Sequence, residues 1–198
     1  MILQNIINNI NTVDFNNNKW KSPYCDNIVN QNNNDWIGSD IENFIINNNI
    51  KYEFHTELVN KISPKYNTTR DIIQIPKKDY FYNKESFYNS LFHEIIHSIG
   101  YRYNINEHDK RKEEIIAEIG SLLLCDKFNI NYDLYNSLEY ISWYVNLYLT
   151  CNLFINTYCD NRINIKDISN EDIIDLLRYC FDNANSRIKY LRFKYGSL

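Results

Sequence analysis

The stretch FYNSLFHEIIHSIG, residues 87–100, decides the fold. Its apolar positions follow helical spacing from about residue 84, and Gly100 stands where a helix terminator is expected. His93 and His97 are four residues apart, so their side chains lie one turn apart and about 40° around the predicted helix. Both imidazoles can therefore reach a single metal ion.

Glu94 completes the pattern His-Glu-x-x-His. It is rotated away from the two histidines but stays close enough to take a proton from a water at the metal. That is the general-base role this motif supplies in zinc hydrolases. The alternative is structural: two buried histidines whose ring nitrogens bond to backbone or carboxylate partners.

A catalytic zinc ion needs a third protein ligand. A third histidine six residues after the second would stand at position 103, which is Tyr103, so that arrangement is excluded. The next predicted helix begins with three glutamates, and we predict that Glu114 is the third ligand and that Glu118 hydrogen-bonds a histidine N–H. Glu113 and His108 are the alternative ligands. A solvated first turn, favoured by the helix dipole, is the structural alternative.

The rest of the chain predicts an α+β fold, mostly helical, with a small antiparallel sheet ahead of the motif helix. Gly120 is expected to let the glutamate helix approach the histidine helix closely. We expect an Asn-rich N-terminal extension over 1–37 and one domain over 38–198. The predicted helices cover about 2–10, 39–47, 84–99, 110–128, 135–158 and 173–195, and the predicted strands 50–54 and 70–75.

Composition narrows the class of protein. The chain has 198 residues, 44% of them hydrophobic, and a formal net charge of −4, which fits one globular domain and disfavours nucleic-acid binding by bulk charge. Its five cysteines form no C-x-x-C pair, and no secretory signal precedes them, so we expect a cytoplasmic protein. The uncharged stretch 140–159 carries a polar stripe (Ser142, Asn146, Thr150), which predicts a buried helix and no membrane partner.

Four ordered segments resemble a known family. They are RDIIQIP (70–76), the stretch 87–100, KEEIIAEIGSLLLC (112–125) and YISW (140–143). Residues from about 41 to 190 resemble the zincin-type metallopeptidase domain of ArdC-like antirestriction proteins, which polyvalent proteins of phages and mobile elements also carry.

The resemblance implies a gluzincin-type centre, with His93 and His97 as ligands, Glu94 as base and an acidic ligand from 113–118. It also implies a gene of a virus or mobile element, linked to antirestriction or evasion of host defence. Full-length relatives carry a separate single-stranded-DNA-binding domain, which residues 1–37 are too few to form, so DNA binding is not expected. The segment 55–65 lacks the family's glycines, and His55 is expected at a strand end.

The function predicted from these observations is a zinc metallopeptidase with one Zn²⁺ per chain, acting on a protein or peptide. Tyr140 and Tyr103, with Tyr101, are the candidate oxyanion donors. Three alternatives remain at this stage: a catalytically silent binding module for a protein or DNA partner, an iron(II) site built on two histidines and a carboxylate, and a purely structural protein.

Overall fold

The computed structural model describes residues 1–10, 12–13, 39–54, 63–156 and 169–193. This part of the chain is mostly helical with one small sheet, which confirms the predicted fold class. His55, which we expected at a strand end, lies outside the described residues. The elements are α1 (Ile2–Ile10), α2 (Ser39–Asn47), β1 (Tyr52–Phe54), β2 (Lys65–Asn67), β3 (Ile72–Ile75), a 3-10 turn (Lys78–Tyr80), α3 (Lys84–Arg102), α4 (Lys110–Lys127), α5 (Leu134–Asn156) and α6 (Asn170–Ile188).

The sheet is mixed, with strand order β1-β3-β2. β2 pairs antiparallel with β3, but β1 pairs parallel with it, so the prediction of an antiparallel sheet is wrong for that pair. The reason is β2, a three-residue strand with no apolar alternation. β2 runs antiparallel to both other strands and pairs with the edge of β3 that faces away from β1. β1 and β3 therefore run in the same direction.

Helix α3 continues through Gly100 to Arg102, so the prediction that Gly100 ends the helix is wrong. The left-handed residue after the helix is Asn104, with φ 54°, and the N–H of Ile105 closes the end on the carbonyl of Gly100 at 2.8 Å. Gly100 has a packing role. A Cβ there would lie 2.8 Å from Cζ of Arg187 on α6, so the missing side chain makes room for a guanidinium group.

Helix α4 is central to the helical layer, because it packs against α3, α5 and α6. Its approach to α3 is close at Gly120, where a Cβ would lie 2.6 Å from Cγ1 of Ile96. The predicted close approach at Gly120 is therefore confirmed. Ile96 is fully buried, so it has little freedom to move aside.

Helices α1 and α5 complete the layer. The buried face of α1 carries Ile2, Ile6 and Ile10, and α1 packs against α5 and α6; the boundary at residue 37 stays a prediction. In α5 the hydroxyls of Ser142 and Thr150 donate to backbone carbonyls one turn back. No helix in the described ranges is long and apolar enough to cross a membrane.

We expect Gly120→Ala to lower the free energy of unfolding by about 1–3 kcal/mol, because the added methyl group overpacks the α3–α4 contact. The loss should occur although alanine is the better helix former. Denaturant unfolding measures it. In Ile96→Ala/Gly120→Ala the clashing atoms are absent, so the double variant should lose less stability than the two single losses together. A stable Gly120→Ala would contradict the close contact.

Candidate metal centre

A cavity of about 820 Å³ opens beside the middle of α3. Its walls come from α3, α4, α5 and the segment 63–66, which leads into and includes part of β2. His93, Glu94 and His97 line it from α3, and the three glutamates of α4 line it from the opposite side. The cavity therefore collects the polar groups that the motif and the next helix supply.

Three possible ligand atoms meet in this cavity. His93, His97 and Glu114 each offer one atom, and these atoms lie within 4.8 Å of one another. His93 Nε2 is 3.2 Å from His97 Nε2 and 3.2 Å from Glu114 Oε2. The described residues thus bring together the two histidines and the glutamate chosen from the sequence.

The other ring nitrogen of each histidine faces a second carboxylate. His97 Nδ1 lies 2.8 Å from Glu113 Oε1, and His93 Nδ1 lies 3.0 Å from Glu118 Oε2. An ionised carboxylate only accepts hydrogen bonds, so each ring donates to its second carboxylate from Nδ1. A neutral imidazole whose proton is on Nδ1 keeps the lone pair of Nε2 for a metal ion.

Each of these carboxylates is itself held. Glu118 accepts a hydrogen bond from the Ser137 hydroxyl at 2.6 Å and one from the Asn89 amide at 3.5 Å. Glu113 accepts two bonds from Arg187, at 2.7 and 2.6 Å. Sequence reasoning missed Ser137 and Arg187, because they lie on α5 and α6 and no local spacing connects either of them with the motif.

The electrostatics of the cavity favour a cation. Burial would lower the pKa of His93, but Glu114 and Glu118 raise it well above its ordinary value. Burial would raise the pKa of Glu114, but hydrogen bonds with both histidines lower it far below its usual value. Glu114 and Glu118 thus draw positive charge to the same point, and two imidazoles with a carboxylate are a donor set that divalent metals bind.

Glu94 and Glu113 are perturbed in opposite directions. Burial raises the pKa of Glu94, against the opposing effect of the two histidines. Burial also acts to raise the pKa of Glu113, but Arg187 and His97 outweigh it and lower that pKa to about 2. Glu113 is therefore a fixed anion, whereas Glu94 is the carboxyl with the greater tendency to bind a proton.

The three candidate tyrosines and His108 differ in whether they line the cavity. The Tyr140 hydroxyl donates to Glu114 Oε2 at 2.7 Å, and Tyr140 and Tyr101 both line the cavity. Tyr103 does not line it; this side chain is 49% exposed and stacks on Tyr190, with ring centroids 4.4 Å apart. His108 is exposed and is not in the cluster of three. Of the four, only Tyr140 touches a candidate ligand.

Comparisons with known proteins indicate the family of the chain. The model of a family described as zincin-like metallopeptidase matches residues 40–150, more than half of the chain. No curated protein sequence matches significantly. A solved structure that the chain resembles is the antirestriction protein ArdC from plasmid R388, in a Mn(II)-bound form, with 21% identity and a TM-score of 0.48. The match covers 77% of this chain and 52% of that one, about half its length.

We expect Zn²⁺ to raise the thermal midpoint of the wild type and to leave the thermal midpoint of Glu114→Gln nearly unchanged. Binding at a free metal concentration 100 times Kd stabilises the fold by about 2.7 kcal/mol, which is about 5–10 °C for a chain of this size. Glutamine keeps the side-chain shape but removes the charge. Thermal unfolding with Zn²⁺ or with a chelator measures the difference.

The matched control is Glu171→Gln, which removes an exposed carboxylate from the first turn of α6. It should keep the full thermal shift. A wild-type shift in Glu114→Gln would show that Glu114 is not a ligand.

Proposed function

The chain belongs to the family of zincin-like metallopeptidases, and on that premise we propose that it is a zinc-dependent peptidase. His93, His97 and Glu114 hold the metal ion, and Glu94 is the general base. The observation that carries the proposal is the convergence of two histidine nitrogens and a carboxylate oxygen within 4.8 Å. Glu118 orients His93 by accepting a hydrogen bond from His93 Nδ1, which lies 3.0 Å from Glu118 Oε2.

Zinc is the metal that this arrangement favours. Two histidines and a carboxylate also suit iron(II), but the glutamate inside a helical His-Glu-x-x-His pattern is typical of zinc hydrolases. When bound, a zinc ion lowers the pKa of a water in its coordination sphere and polarises the scissile carbonyl group. One Zn²⁺ per chain is expected, because the described residues form one such cluster.

Glu94 is suited to move a proton. It lines the cavity and is 7% exposed, and burial raises its pKa toward the working range of a general base. A backbone hydrogen bond from Tyr66 also reaches its carboxyl group. Glu94 accepts a proton from the attacking water and then delivers it to the leaving amine.

The substrate class follows from strand β2, which stands at the edge of the sheet beside the cavity. Tyr66 lies opposite Ile73 on β3, but the N–H of Ile73 donates to Lys51 on the other side. The backbone N–H and carbonyl of Tyr66 therefore face outward; the N–H is bonded to the Glu94 carboxyl group, and the carbonyl can accept a hydrogen bond from a bound chain. An extended peptide can donate to such a carbonyl at a sheet edge, so we propose a protein or peptide substrate.

The setting we propose comes from the sequence resemblance. A gene of a virus or mobile element, linked to antirestriction or evasion of host defence, is the context of the related polyvalent and ArdC-like proteins. The host cytoplasm is the compartment we propose, since Cys125 and Cys180 are buried free thiols and free thiols persist under reducing conditions.

We predict that Glu94→Gln keeps one zinc per chain but lowers the rate of peptide cleavage by about 10²–10⁴-fold, because the amide cannot accept the proton. His97→Ala should lose both zinc and activity. Cleavage of a peptide library followed by mass spectrometry measures the rate, and elemental analysis of protein purified without added metal measures the zinc.

Two outcomes would overturn the proposal. Retained hydrolysis in Glu94→Gln would remove Glu94 from the role of base. A wild type that binds zinc and cleaves no peptide in the library would instead support a binding module that uses the zincin fold to recognise a partner.

We also propose that Tyr140 stabilises the oxyanion: its hydroxyl lies at the ligand cluster, and its one proton, donated to Glu114 Oε2 at 2.7 Å, turns to the oxyanion when that charge develops. Tyr140→Phe should lower kcat by about 10²–10³-fold and change KM little. Tyr103→Phe is the matched control: it removes the same hydroxyl from a residue outside the cavity lining and should leave kcat unchanged. Equal kinetics in the two variants would contradict the role of Tyr140.

A further inference from the structure

Arg187 is a buried cation near the end of α6, at a position beyond the residues 40–150 that the family model matches. Only 1% of the surface of Arg187 is exposed. Burying a guanidinium group is costly unless charge and hydrogen bonds compensate it, so the partners of Arg187 indicate what the group does.

Those partners converge on Glu113. Arg187 Nη1 donates to Glu113 Oε1 at 2.7 Å and Nη2 donates to Oε2 at 2.6 Å, a two-pronged ion pair. Nη2 also donates to the carbonyl of Ile105 at 3.2 Å. Arg187 Nε has no hydrogen-bond partner in the described part of the chain. The guanidinium group is thus oriented to bond both oxygens of Glu113, and this orientation leaves Nε unpaired.

Glu113 in turn holds His97. Its Oε1 faces His97 Nδ1 at 2.8 Å, and its Oε2 also accepts the backbone N–H of Glu107 at 2.8 Å. Both oxygens are therefore engaged on the Nδ1 side of the ring. This keeps Glu113 away from the side where His97 Nε2 meets Glu114.

The two histidines are anchored differently. The carboxylate behind His93, that of Glu118, is held by the neutral groups of Ser137 and Asn89. The carboxylate behind His97 is held by a full positive charge that reaches it from another helix. Gly100 lets that charge fit, since a Cβ there would lie 2.8 Å from Arg187 Cζ and from Nη1.

We propose that Arg187 is a positioning residue of the metal centre: it holds Glu113, which fixes the ring orientation and tautomer of His97. The inference rests on the proposed function, because it assumes that His97 Nε2 is a metal ligand. Loss of an outer partner of this kind lowers metal affinity by about 10–100-fold. Helix α6 is then part of the metal site although none of its residues is a ligand.

The test compares Zn²⁺ affinity in full-length Arg187→Met, Glu113→Met and the double variant, by competition with a chelator, with metal-free stability measured by denaturant unfolding. Each single variant leaves one buried charge unpaired and should be less stable, whereas the double variant removes the pair and should recover stability. Arg178→Met is the matched control, because Arg178 lies on the same helix but is paired with Asp175 at the surface. It should change neither quantity.

If Arg187 acts through Glu113, Arg187→Met binds Zn²⁺ about 10–100-fold more weakly than the wild type. The double variant should then bind no more weakly than Glu113→Met although its stability is recovered, because Arg187 has nothing to hold once Glu113 is gone. If Arg187 were only structural, Arg187→Met would be less stable but would bind Zn²⁺ with wild-type affinity, which would overturn the inference.

Arg187→Lys serves as a second probe that keeps the charge but loses the fork of two parallel donors. It should fold and bind Zn²⁺ more weakly than the wild type; wild-type affinity would contradict positioning by the fork. A wild type that binds no Zn²⁺ would overturn the proposed function itself. That failure is distinct from a wild type that binds Zn²⁺ with the same affinity as its Arg187 variants.

Discussion

The close packing of α4 against α3 is the constraint on which the metal centre depends. The histidines and Glu94 come from α3, and the three glutamates that face them come from α4. Where the helices meet, Gly120 has no side chain and the buried Ile96 fills the space. Zinc–ligand distances are about 2.0–2.2 Å for nitrogen and oxygen donors, so with a wider separation Glu114 could not reach a metal ion bound to the two histidines.

The second constraint is electrostatic. Four carboxylates, those of Glu94, Glu113, Glu114 and Glu118, line one cavity, and gathering them there is unfavourable unless positive charge compensates them. Arg187 pairs with Glu113, and the carboxylates raise the pKa values of both histidines: Glu114 and Glu118 act on His93, and Glu113 and Glu114 act on His97. A raised histidine pKa stabilises the fold at low pH and ceases to do so as the pH rises above it. Above that pH, a divalent cation in the proposed site would supply the charge.

Sequence patterns predicted what depends on local spacing. The bounds of α1 and α2 and the start of α3 agree with the predictions, because caps and apolar periodicity act within a few residues. The same applies to His93 with His97 and to Glu114 with Glu118, each pair one helical turn apart. Strand β2 was missed, since three residues carry too little pattern, and so was the parallel pairing of β1 with β3. Gly100 looked like a terminator because its true partner, Arg187, is distant in the chain.

The different surroundings of Glu113 and Glu114 show why spacing alone left the third ligand open. Adjacent residues point about 100° apart around a helix, and α4 lies against α3, α5 and α6. Glu113 turns toward α6, where Arg187 holds both its oxygens. Glu114 turns toward α5, where the neutral Tyr140 hydroxyl bonds one oxygen and leaves the carboxylate beside the two Nε2 atoms. Two chemically identical side chains therefore differ because one neighbouring helix presents a buried cation and the other a hydroxyl group.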